Sequence, residues 1–134
     1  MTDEAPSAEA QEYIDELAAR RGYAFPLHRV LAGADLDVLK AMDGVVSTAY
    51  LDERTLDKRT KELLFILSLT VLRAPQTQIA THIRLALEAG ASPREVLEAI
   101  EIALPEAGIV AFQHGVETWA EVVGAPALSP RMPT

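Results

Sequence analysis

Three features of this chain predict an all-helical fold. Its apolar content, 49% of 134 residues, rests on Leu, Ala, Val and Ile, with one Trp, three Tyr and three Phe. Ala and Leu lose little side-chain freedom in a helix, so such a composition favours one. Apolar residues recur at intervals of three and four through much of the sequence, the spacing that lines one helix face. No segment alternates apolar and polar residues between turn signals, as a half-buried strand would. The length suits one domain over residues 1–134 with a sizeable core. Neither a linker nor an internal repeat divides it.

The elements follow in order. Ser7 is a suitable N-cap for a first helix running through Tyr13, Ile14 and Leu17 until Gly22 stops it. Pro26 opens a turn, after which Leu27, Val30 and Leu31 form a small helical element. The second helix is predicted over Asp35 to Tyr50, where Leu36, Leu39, Met42, Val46 and Ala49 keep helical spacing. Leu51 to Leu56 is a charged connection. Asp57 caps a third helix reaching to about Arg73, whose interior is apolar on every side; such a helix must be surrounded, by its own domain or by a partner subunit. Pro75 suits the start of a fourth helix, Gln76 to Glu88, ended by Gly90. Ser92-Pro93-Arg94-Glu95 combines an N-cap, a first-turn proline and a capping box, and opens a fifth helix to about Leu104. Pro105 and Gly108 interrupt it. A sixth carries Ile109, Phe112, Val116, Trp119 and Val123 along one face, and the tail 124–134 is predicted to be extended or disordered. The result is a bundle of about six helices.

Composition narrows the function classes. A net charge of −8 argues against nucleic acid or an anionic membrane as partner, since both select basic surfaces. Without cysteine there are no disulfides, thiolate metal sites or thiol redox chemistry. The acidic, polar stretch Met1 to Glu12 is the reverse of a targeting signal, and Leu63 to Leu72 is too short for a membrane span. The expectation is a cytoplasmic protein. Three histidines without ligand spacing predict no metal site, and dispersed glycines predict no phosphate loop.

What remains is an acid and an imidazole on neighbouring helices. His82 is in line with Ile79, Ile83 and Ala86, so helical spacing turns it inward. It is either a core histidine satisfied by one hydrogen bond or a proton-transfer group, for which an imidazole is suited near neutrality. Glu62 lies early in the third helix, where a carboxylate complements the helix dipole. Its apolar neighbours also set it at the edge between solvated and buried regions. Gln78, one turn before His82, either donates to a substrate oxygen or fixes the imidazole tautomer. Arg59, Lys61, Arg73 and Arg84 are either solvated salt-bridge partners or, for one of them, a fork receiving a substrate carboxylate. Arg84 lies near the helix face opposite His82. His114 reads as a flank or interface residue, and His28 is uninformative.

The segment Leu56-Asp57-x-x-Thr60-Lys61-Glu62-Leu63 is followed by His82-x-x-x-Ala86-x-x-x-Gly90-Ala91-Ser92-x-x-Glu95-Val96-x-Glu98-Ala99-Ile100 and then Gly108. In order and spacing this resembles the carboxymuconolactone decarboxylase family, which includes the alkylhydroperoxidase D-like proteins. The resemblance extends from about Leu39 to Val123. It implies a small all-α fold that assembles as a homo-oligomer, a trimer or hexamer. The peroxidase branch carries Cys-x-x-Cys ending four positions before the histidine, which would fall at Pro75 and Gln78 here. That branch's thiol chemistry is therefore excluded. Its glutamate and histidine survive as Glu62 and His82.

The resemblance thus implies a cofactor-independent lyase, of the decarboxylase type that serves aromatic compound catabolism, acting on a small anionic lactone or keto acid. His82 and Glu62 would be catalytic, and Gln78, Arg59 and Arg73 would bind substrate. The alternative is a non-catalytic helical scaffold of the same fold that binds a ligand or partner.

Overall fold

The computed structural model describes residues 7–132. Among them the regular structure is entirely helical: eight α-helices and one π-helical turn. The described chain gathers into two compact units, one ending at Asp52 and one beginning at Glu53. Residues 8–12 of the acidic N-terminal stretch are helical, while residues 1–6, like 133–134 of the tail, lie outside the described residues.

The first unit holds α1 (Ala8–Arg21), α2 (Pro26–Ala34), α3 (Leu36–Val46) and the π turn Ser47–Leu51. Ser7 Oγ accepts the Ala10 N–H at 3.1 Å, satisfying one of the donors a helix start leaves open. Gly22 ends α1 at φ 82°, a left-handed conformation that costs glycine little. Leu17 and Leu39 are fully buried and pack with Ala10 and Ala32. The helix predicted over Asp35 to Tyr50 does not stay α-helical to its end. Around Val45-Val46-Ser47-Thr48, a run poor in strong helix formers, the coil widens, and the Asp52 N–H bonds Ser47 C=O at 2.8 Å.

This unit also buries charge. Asp43 on α3 receives Tyr13 Oη at 2.6 Å and Arg20 Nη2 at 2.7 Å, and pairs through its other oxygen with Arg21. Burial alone would raise the Asp43 carboxyl, but the three donors win and hold it at about 2. His28 sits beside the cluster, its Nε2 3.3 Å from Arg21 Nη1 and its Nδ1 accepting the Phe25 N–H at 3.0 Å. Burial and the neighbouring Arg21 cation push this imidazole below its ordinary value.

The second unit holds α4 (Lys58–Val71), α5 (Gln76–Glu88), α6 (Pro93–Glu101), α7 (Ala103–Ala107) and α8 (Ile109–Val123). Helix α4 lies against α5, α6 and α8, so it is the element around which the others assemble. Its N-cap Asp57 takes the Thr60 N–H at 2.7 Å. The predicted capping box forms at α6, with Ser92 Oγ and the Glu95 carboxylate each accepting the other's N–H at 3.0 Å. The fifth predicted helix breaks at Ile102, and Pro105 falls within the first turn of α7, where a missing N–H costs no hydrogen bond.

Ile66, Ile79, Ile83, Val96 and Ile100 form the core of this unit, all fully buried. Helix α8 meets it differently from the prediction. Phe112, Val116 and Trp119 do pack on the core, but the most buried line is Ala111, Gly115 and Thr118, and Ile109 is largely exposed. Small residues win that line because α8 comes too close for large ones. A methyl built on Gly115 would lie 2.6 Å from Thr70 Cγ2 and 2.9 Å from Ile100 Cγ2.

The end of α4 is a Schellman turn in which the Ala74 N–H reaches Leu69 C=O at 2.9 Å and the Arg73 N–H reaches Thr70 C=O at 3.0 Å. Its left-handed position is filled by Arg73, at φ 55°, where glycine would be relaxed. Beyond Gly124 the tail has no regular secondary structure over 125–132. Among the described residues no helix is long and apolar enough to cross a membrane.

Candidate active site

The buried face of α4 runs Glu62, Ile66, Leu69 and Thr70, at intervals of four, three and one. A carboxylate thus occupies a position in the core stripe, and the helix that buries Ile66 must bury Glu62 with it. The buried face of α5 is Ile79, His82, Ile83 and Ala86. Packing α4 on α5 therefore brings the acid to the imidazole: Glu62 Oε2 and His82 Nδ1 are 2.9 Å apart. Their side chains are 0% and 3% exposed, so the pair sits in a low-dielectric environment where electrostatic interactions are strong.

An ionised Glu62 can only accept in this contact, which places a proton on Nδ1 and makes Nε2 the nitrogen available for proton exchange. Phe65, one turn beyond Glu62, lies flat against His82 with ring centroids 4.8 Å apart and planes inclined by 11°. Two side chains of a single helix thus fix the imidazole, one by a hydrogen bond at its edge and one by stacking on its face.

The remaining expected residues are dispersed. Gln78 is half-buried on α5, one turn before His82. Arg59, in the first turn of α4, is ion-paired with Glu95 of α6. Arg73 occupies the left-handed turn and is exposed, facing α8 rather than Glu62; it lines a groove with Gln113 and His114. Lys61 corrects the expectation of solvated cationic faces, because it is buried; a lysine stem can lie along apolar surface. Arg84 is exposed, as its place opposite His82 requires. His114, expected at a flank, donates from Nε2 to Ala74 C=O at 2.6 Å. His28, uninformative in sequence, is buried in the charged cluster of the first unit.

Phe65 is the site residue that sequence reasoning missed. Its signal was present, since position 65 follows Glu62 by one turn, but in an unbroken apolar run nothing distinguishes a ring that stacks on histidine from one that fills core. Among the described residues no three His, Cys, Asp or Glu side chains gather closely enough to hold a metal ion.

A model of the carboxymuconolactone decarboxylase family matches residues 37–121. No curated protein matches the chain.

Proposed function

The chain belongs to the carboxymuconolactone decarboxylase family, and from that premise we propose that it is a cofactor-independent lyase acting on a small anionic lactone or keto acid. The observation that carries the reading is the buried Glu62–His82 pair, held at 2.9 Å. A hydrogen-bonded acid behind an imidazole is the arrangement general acid–base chemistry needs: the carboxylate fixes the tautomer and balances the charge when the ring is protonated.

In the proposed reaction the bond from carbon to the substrate carboxylate breaks and carbon dioxide departs. The electron pair left on carbon spreads onto the adjacent carbonyl as an enolate. Protonated His82 then delivers its Nε2 proton to that carbon, and the ring recovers a proton from water. Gln78 donates to the developing enolate oxygen, an interaction that grows toward the transition state and contributes a few kcal/mol in a dry site. An arginine clamped on the departing carboxylate would do the opposite, since it stabilises a charge that the reaction removes. Arg59, already paired with Glu95, and Arg73, turned toward α8, are therefore assigned no part in the bond-breaking step.

The test is carbon dioxide release from gamma-carboxymuconolactone and from a panel of lactones and keto acids. His82→Gln and Glu62→Gln should each lower turnover by about 10²-fold or more with helicity unchanged. Native turnover in His82→Gln would remove the imidazole from the mechanism.

A second reading, a non-catalytic scaffold that binds a ligand or partner, draws on the near-complete burial of the pair, which equally suits a structural hydrogen bond. It expects the double variant Glu62→Gln/His82→Gln to keep its binding function, and it expects no carbon dioxide release by the native protein.

A further inference from the structure

We propose that the second unit carries a separate binding groove, between the α4–α5 turn and α8, for a small carboxylic acid bearing a hydrogen-bond donor next to its carboxylate. The groove has a volume of about 220 Å³ and is lined by Arg73, Val110, Gln113, His114 and Glu117. It shares no residue with the Glu62–His82 pair.

The ligand class follows from what each wall offers. Arg73 presents a planar fork suited to a carboxylate, and among the described residues its guanidinium has no hydrogen bond or ion pair. The backbone beneath it is unusual, because the turn holds Arg73 at φ 55°, a conformation glycine or asparagine would adopt with less strain. An arginine kept there despite the strain points to a use for its side chain.

The opposite wall accepts rather than donates. His114 spends its Nε2 proton on Ala74 C=O at 2.6 Å, which makes Nδ1 the acceptor of the neutral ring. Glu117 adds a carboxylate, steadied by Gln113 Nε2 at 3.3 Å. A cationic fork beside two acceptors selects a molecule that is anionic at one end and a donor at the other, and it disfavours a dianion such as phosphate. Val110 supplies an apolar contact for a short carbon chain. The volume lies below the range of about 300–1,000 Å³ typical of drug-sized ligands, which limits the guest to a small organic acid.

The experiment titrates the native protein with alanine, lactate and propionate, which share a three-carbon skeleton and a carboxylate. Binding is followed through the His114 ring signals and the Gln113 side-chain amide by NMR. Saturable shifts with alanine or lactate, and binding at least about tenfold weaker with propionate, are expected. A response to alanine alone identifies an ammonium as the donor, and a response to both identifies any N–H or O–H. Arg73→Gly is the deciding variant. It relaxes the turn, so the thermal midpoint should hold or rise, while binding should weaken at least about tenfold. Binding unchanged in Arg73→Gly, propionate binding as well as the other two, or no saturable shift with any probe would each overturn the proposal. Binding should persist in His82→Gln, so this site stands or falls apart from the proposed lyase activity.

Discussion

Replacing Gly115 by alanine tests how rigidly α8 is seated on the second unit. Two effects oppose each other. Glycine inside a helix is about 1 kcal/mol less favourable than alanine, so in an exposed helix the change would stabilise. Here the new methyl would stand 2.6 Å from Thr70 Cγ2, 2.9 Å from Thr70 Oγ1 and 2.9 Å from Ile100 Cγ2. Neither neighbour is the loose end of a flexible chain. Thr70 and Ile100 are β-branched and fully buried, and Thr70 Oγ1 donates to Ile66 C=O at 2.8 Å. To clear the methyl, Thr70 must leave its rotamer and give up that bond, or α8 must move away from α4. Overpacking of this kind costs about 1–3 kcal/mol, and two immobile neighbours place the cost at the upper end. The net expectation is a destabilisation of about 1–2 kcal/mol. Urea unfolding followed by Trp119 fluorescence and by helicity should show a lower midpoint at unchanged slope. Thr70→Ser removes the nearest methyl but keeps the hydroxyl, so in the Gly115→Ala background it should restore part of the loss, as positive coupling in a double-mutant cycle. A Gly115→Ala protein as stable as the native one would show that helix propensity outweighs the contact and that α8 is free to shift.

The remaining predictions concern buried charge and caps. Asp43, held at about 2 against an ordinary 3.8, has a depressed folded value, so its contribution is complete above about pH 4 and disappears as pH falls toward 2. That contribution is about 2 kcal/mol, and the acid limb of urea stability should be correspondingly shallower in Asp43→Asn. His28 also has a lowered folded value, so the unfolded chain takes up its proton first and stability declines as pH falls below 6.5; His28→Gln should flatten that decline. Glu62→Ala leaves the buried His82 imidazole without its Nδ1 acceptor and opens a gap in α4, which should cost about 2–4 kcal/mol in chemical denaturation. A loss under 1 kcal/mol would mean the pair adds little to the fold. Ser92→Ala removes one half of the α6 capping box and should cost about 1 kcal/mol, read as a lower thermal midpoint.

Local chemistry made much of this protein legible. Ser7, Asp57, Ser92 and Gly22 are read from sequence because a cap acts on a backbone only three or four residues away. The Glu62–His82 pair was nearly as legible, since both residues fall in register with the apolar stripes of α4 and α5, and two stripes that pack must bring their members together. The Asp43 cluster was not. Its partners Tyr13, Arg20 and Arg21 lie on α1, 22 to 30 residues away, and ion pairing between helices leaves no periodic mark in a chain. For the same reason Lys61 and His28 read as ordinary residues until burial was known.

The sequence by itself therefore determined the helical class, the ends of α1, α4 and α5, the start of α6 and the register that sets Glu62 and His82 on the apolar stripes of their helices, because each depends on spacing along the backbone. Tertiary structure alone decided which cations are engaged, how closely α8 approaches Thr70, and that Arg73 and His114 line one groove. Those depend on distances between elements, which the pattern of apolar residues constrains only to within a helix face.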